Sequence, residues 1–154
     1  MVRSTRQAAL LGLVAAASIG GVRNAKAEKV CQFTPQEGAE QAISGSEAKY
    51  TCVNGHHQFH VKPVNVVDSG EVLVATGQVS HVLGGWRRDD QVHYRIVIGG
   101  AGTPEVSYRV ISRGGWCSVP FVGDTIRDSG YSCINTTWEP ALAALLDVIA
   151  AKLL

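Results

Sequence analysis

Apolar and polar positions alternate with period two along the middle of the chain. Val92, Tyr94, Ile96 and Ile98 interleave with Gln91, His93 and Arg95, and Val106, Tyr108 and Val110 repeat the pattern next door. Such alternation marks strands buried on one face. It predicts strands over 71–83, 91–99 and 105–112, joined by the loops 84–90 and 99–104. Placing the apolar residues on one face pairs Val92 with Val82 and with Val110, and Tyr94 with Tyr108. The same register sets Leu83 opposite Gln91, His81 opposite His93, Arg109 beside His93 and Ser107 beside Arg95. It is defined to within a slip of two.

Asn54-Gly55 lies between Tyr50-Thr51-Cys52-Val53 and the run His56 to Val61. Both turn residues tolerate positive φ, so the pair predicts a hairpin with Tyr50 facing Phe59 and Cys52 facing His57. Upstream, Thr34-Pro35-Gln36-Glu37 places a capping residue, a proline at the first helical position and a glutamate for the first turn. This start predicts a short helix to about Ile43. Downstream, a short strand is expected around 131–135. Leu142, Leu145, Leu146, Ile149 and Leu153 then follow helical spacing from about Trp138 or Pro140. So apolar a helix with no Lys/Arg-rich face is expected to close the core, the alternative being a membrane- or partner-docking or dimerising segment. The fold class is α+β: an antiparallel sheet of about five to seven strands, open or barrel-like, with a short N-terminal and an amphipathic C-terminal helix.

Arg3 and Arg6 precede an ionisable-free run of 15 residues, Ala8 to Val22, and Ala25-Lys26-Ala27 has small-x-small form. This reads as a cleaved signal peptide over 1–27 before a single secreted domain over 28–154, because a membrane-crossing helix needs roughly 20 apolar residues. Without 1–27 the basic count falls from 14 to 10 against 13 acids, moving the formal charge from +1 to −3. A net-acidic domain is a poor nucleic-acid partner. Cys31, Cys52, Cys117 and Cys133 form an even set in a chain expected in the periplasm or outside the cell, so two disulfides are expected. Of three pairings, Cys31–Cys52 and Cys117–Cys133 close local loops. No two cysteines are closer than sixteen positions, which argues against zinc on cysteine. No metal or other cofactor is expected.

The chemistry-bearing residues fall into three groups. His56 and His60 would share a helix face, but on a strand they stand about 13 Å apart, too far to hold one ion. On the polar face of the central sheet, the register gathers His81, His93, Arg95 and Arg109. Imidazoles that pass protons and guanidiniums that grip anions suit a small hydrolase or an anion-binding protein, with Asp89 or Asp90 orienting a histidine. Trp86 with Arg87 and Arg88 occupies a glycine-flanked loop of the kind that contacts partners. Trp116 beside Cys117 is expected to pack against the disulfide, and Asn135-Thr136-Thr137 is a glycosylation sequon in a eukaryotic host. Nucleophile-elbow, phosphate-loop and Ca²⁺-loop signatures are absent from the sequence.

Tyr50-x-Cys52-x-x-Gly55 followed by alternating strands resembles, over about six residues, the opening of the small periplasmic inhibitors of C-type lysozyme. The Ser-Gly-containing inhibitory loop of that family is missing and the C-terminal helix is unlike it, so the resemblance assigns no family and leaves inhibition as one role. The leading expectation is a noncatalytic binding or inhibitory protein that engages another protein or a cell-surface glycan through Trp86, Arg87 and Arg88. The rivals are the His/Arg-dependent hydrolase or anion binder and the docking protein working, also as an oligomer, through 140–154.

Overall fold

The computed structural model describes residues 35–52, 57–83, 89–123 and 131–154. Helix α1 (Pro35–Ile43) begins at the proline expected at its first position, and its buried Gly38, Ala39 and Ala42 share one stripe, Ala42 lying four and three residues after the other two. Strands β1 (Ala48–Cys52) and β2 (His57–Val61) form the expected hairpin, with Tyr50 opposite Phe59 and Cys52 opposite His57. Lys62-Pro63-Val64 then interrupts the ladder, as a proline without an N–H must. Strand β3 (Asn65–Asp68) resumes along the same edge of the long β4 (Leu73–Leu83).

Strands β5 (Asp89–Ile98), β6 (Glu105–Val110) and β7 (Cys117–Val119) complete an antiparallel sheet of order β1-β2-β4-β5-β6-β7, with β3 also on β4. The seven strands form an open sheet and no barrel. Between β5 and β6 the register is as expected: Val92 faces Val110, His93 Arg109, Tyr94 Tyr108 and Arg95 Ser107.

Between β4 and β5 the structure corrects the expectation. Val92 stands opposite Val79 rather than Val82, and His93 stands opposite Gln78 rather than His81. A shift by an odd number exchanges the faces of a strand. Ala75, Val79 and His81 therefore enter the core, while Thr76, Gln78 and Ser80 look outward. Apolar residues occur on both faces of 73–83, so alternation alone leaves its facing open, and space decides. Gly77 stands opposite Tyr94, whose phenol occupies the volume that a Cβ at 77 would need.

Helix α2 (Glu139–Leu153) crosses the inner face, with every residue from 141 to 150 buried among α1 and the inward side chains of the sheet. It closes the core, as its apolar spacing predicts. The strand expected at 131–135 is absent. Asn135 adopts φ 62°, and the N–H groups of Cys133, Ile134 and Asn135 turn to the Glu139 carboxylate at 2.8 to 3.1 Å. Cys117 and Cys133 are joined as expected, Cα atoms 6.1 Å apart. Cys31, and with it the expected bridge to Cys52, lies outside the described residues.

Candidate binding face

Because the helices cover one side, the sheet has an outer face on which, among the described residues, no other helix or strand packs. A cross-strand row forms on it, one residue per strand. The Lys62 N–H donates to the Gln78 carbonyl at 3.0 Å, continuing the β2–β4 ladder. Gln78 pairs with His93, and His93 with Arg109. Trp116 precedes β7 by one residue. Since Cys117 points inward, alternation turns Trp116 outward, 55 % exposed, with the Arg109 guanidinium carbon 5.8 Å from its ring centre. The expected packing of Trp116 on the disulfide is thereby corrected. Arg95, between Thr76 and Ser107, forms the next row.

A groove of about 510 Å³ follows these rows, lined among others by Lys62, Asn65, Gln78, His93, Arg95 and Trp116. Its cations are little neutralised. Lys62 meets Glu47 at 3.1 Å where both are exposed, and among the described residues no carboxylate pairs with His93, Arg95 or Arg109. The Arg109 Nε is buried without a hydrogen-bond partner among the described residues. Two guanidiniums, an imidazole and an ammonium over a floor of amides and hydroxyls can hold carboxylate or phosphate oxygens, and the exposed indole can stack on a ring.

His81 belongs to a different arrangement on the inner face. It lies directly opposite Asp90 in the ladder, and its Nδ1 is 3.3 Å from the Asp90 carboxylate, while its Nε2 is 2.7 Å from His57 Nδ1. Trp138 stacks on the His81 ring at 4.3 Å and 16°. The His57 and His81 rings are nearly parallel, 23° apart, with centres 4.9 Å apart. That separation is about the nitrogen contact plus two ring radii, so the imidazoles meet edge to edge and share one proton. For a neutral His81 whose Nδ1 donates to Asp90, Nε2 is the acceptor and His57 Nδ1 the donor. The expectation that an aspartate of this hairpin orients a histidine thus falls on Asp90 and His81. The grouping of His81 with His93 does not occur, because the two lie on opposite faces.

The third polar cluster is anchored by Glu139, fully buried at the start of α2. Its carboxylate accepts from the Tyr108 hydroxyl and from the three N–H groups of 133–135. Burial, then the Glu139 bond, pushes the Tyr108 hydroxyl far above the usual phenol range, and burial alone raises Tyr94. Glu139 lies with the sulfurs of Cys117 and Cys133, the one three-ligand grouping among the described residues. Both sulfurs are spent in the disulfide, so the cluster is a structural anchor.

Of the residues singled out in the sequence, His93, Arg95 and Arg109 share the outer face, while Trp86, Arg87, Arg88 and His56 lie outside the described residues. Lys62 and Trp116 join the site unforeseen. The signal for each was its neighbour: Val61 and Cys117 are inward, so the adjoining residue is outward. No family, curated protein or solved structure matches the chain, so its class is that of fold and site: an α+β protein with an open antiparallel sheet and a cationic outer face.

Proposed function

We propose that the chain is an exported, noncatalytic binding protein that holds an anionic ligand on the outer face of its sheet. The observation that carries this reading is the set Lys62, His93 and Arg95 on one groove that ends at the exposed Trp116, with Arg109 beside both His93 and Trp116; among the described residues His93, Arg95 and Arg109 have no carboxylate partner. A cationic row on a strand framework binds anions without rearrangement, because β-strands fix the spacing of their side chains. Export is supported by the leader-like residues 1–27 and by the Cys117–Cys133 disulfide. Relative to the contact loop at Trp86, the binding surface moves to the sheet face. The hydrolase alternative rests on His81 and His93 sharing a face, and the two lie on opposite faces, so the anion-binding reading of His93, Arg95 and Arg109 is favoured.

The test is NMR shift mapping of the oxidised chain with galacturonate, inorganic phosphate and glucose added separately. Shifts at His93, Arg95, Arg109 and the Trp116 indole with either anion and none with glucose are expected. Shifts confined to the helix side, or none at all with both anions, would overturn the reading.

A further inference from the structure

Resting on that reading, the geometry points to an extended acidic oligosaccharide as the ligand, laid across the strands, in place of a single small anion. The row runs from Lys62, just past the end of β2, through Gln78 on β4, His93 on β5 and Arg109 on β6 to Trp116, just before β7. Neighbouring strands lie about 4.8 Å apart, so four steps span about 19 Å. Positive charge recurs along that length, at Lys62 at one end and at Arg109 beyond the middle, with the His93 imidazole beside Arg109 and Arg95 alongside in the next row. One carboxylate or phosphate can engage two of these groups and leaves the others unused. A ligand carrying charge at intervals engages them all.

The uncharged residues between the cations indicate what joins those charges. Asn65, Thr76 and Gln78 line the groove and Ser107 lies beside Arg95, so amides and hydroxyls alternate with cations across the floor. Such groups donate and accept, as ring hydroxyls require. At one end Trp116 offers an indole face to a pyranose ring. A pyranose repeat is of the same order as a strand spacing, so about four sugar residues fill the row. A single-stranded nucleic acid would call for a stack of exposed aromatics, one per base; of the groove's described lining residues Tyr94 is buried, which leaves the Trp116 indole and the smaller His93 ring.

The experiment is calorimetric titration of the oxidised chain with galacturonic acid and its linear dimer, tetramer and hexamer, in low salt. The tetramer is expected to bind at least about thirtyfold tighter than the monomer through linked contacts, and the hexamer within about threefold of the tetramer. Lys62→Ala, at the end far from Trp116, is expected to weaken the tetramer about fivefold, more than it weakens the monomer. Arg113→Ala, in the exposed turn after β6, serves as the control and changes neither. Shift mapping on the unaltered chain reads the same point without a variant: tetramer shifts run from Lys62 to Trp116. If monomer and tetramer bind equally, the extended ligand is refuted while the anion site stands. If neither binds, the anion reading falls with it. Tighter binding of oligothymidylate than of a galacturonate oligomer of equal charge would also refute the inference, by replacing its ligand class.

Discussion

Replacing Glu139 should disturb the protein far beyond the loss of one charge, because this carboxylate satisfies four donors at once. They are the Tyr108 hydroxyl and the N–H groups of Cys133, Ile134 and Asn135. The four donors converge on two oxygens. Bonds to a charged acceptor contribute about 1.5 to 3 kcal/mol each, but the four share one acceptor and the disulfide at Cys133 keeps the segment near, so they do not add. Glu139→Gln retains one oxygen and turns an NH₂ toward the remaining donors, for an expected loss of about 2 to 4 kcal/mol. Glu139→Ala leaves the Tyr108 hydroxyl buried without its acceptor and should lose about 3 to 5 kcal/mol. Tyr108→Phe removes a single donor and should lose about 1 kcal/mol. Urea denaturation of the oxidised proteins gives the ordering, and hydrogen exchange at residues 133–135 gives the location. If Glu139→Gln falls within about 0.5 kcal/mol of the unaltered protein, the range of ordinary surface substitutions, and the three amides keep their protection, the anchoring role is wrong.

Other consequences are open to equally direct checks. Gly77→Ala should destabilise by about 1 to 3 kcal/mol, because the new Cβ enters the volume of the Tyr94 phenol, and a second change Tyr94→Leu should recover part of that loss in a double-mutant cycle. Asp90→Ala removes the carboxylate that accepts from the buried His81 ring and should lose about 1 to 3 kcal/mol, whereas His93→Ala on the outer face should stay within about 0.5 kcal/mol. Equal effects in thermal melts would argue against the observed β4–β5 register. Tyr94 and Tyr108 are both raised above the ordinary phenol value, so the unfolded chain releases these protons first and stability falls as pH rises above 10. The slope should approach about 1.4 kcal/mol per pH unit for each tyrosine, and tyrosinate absorbance should show two of the four tyrosines ionising only on unfolding. Deleting 140–154 should abolish cooperative unfolding, since those residues carry much of the core. A truncated protein that still melts cooperatively would show α2 to be dispensable.

Much of the fold was legible in the sequence, and the failures share a cause. Where one face of a strand is apolar and the other polar, as in 91–98 and 105–110, alternation set the register correctly. The pairing of β1 with β2 was likewise readable from turn chemistry, and Tyr50 does stand opposite Phe59, while Asn54-Gly55 itself lies outside the described residues. Strand 73–83 has valines on both faces and a glycine in its middle, so period two offered two answers, and only the bulk of Tyr94 opposite Gly77 selects between them. Steric fit between residues seventeen positions apart is not a periodic signal. The same limit hid β3 and β7, too short for alternation to register. It also produced a false strand at 131–135, where a carboxylate from the next helix takes up the backbone donors that a ladder would have used. Of the candidate site, His93, Arg95 and Arg109 were recoverable because they lie on the two well-patterned strands, and His81 was misplaced because it lies on the ambiguous one.

The formal charge of the chain is a weak guide to its binding face, and the structure explains why. Asp90, Glu139 and Asp147 are buried, and each serves as an acceptor for interior donors: His81 for the first, backbone and Tyr108 for the second, and the N–H groups of Val122 and Gly123 for the third. Their charge is spent in the interior against partners that face them. Arg95 and His93 project the other way, into the groove, with Arg109 beside His93 on the same far side of the sheet. A chain with a formal charge of −3 over residues 28–154 can therefore present a locally positive surface to an anion, and that surface is screened by salt while the buried acceptors are not. Raising ionic strength should thus weaken ligand binding steeply and leave thermal stability nearly unchanged. Parallel loss of both would mean that the groove cations also hold the fold together.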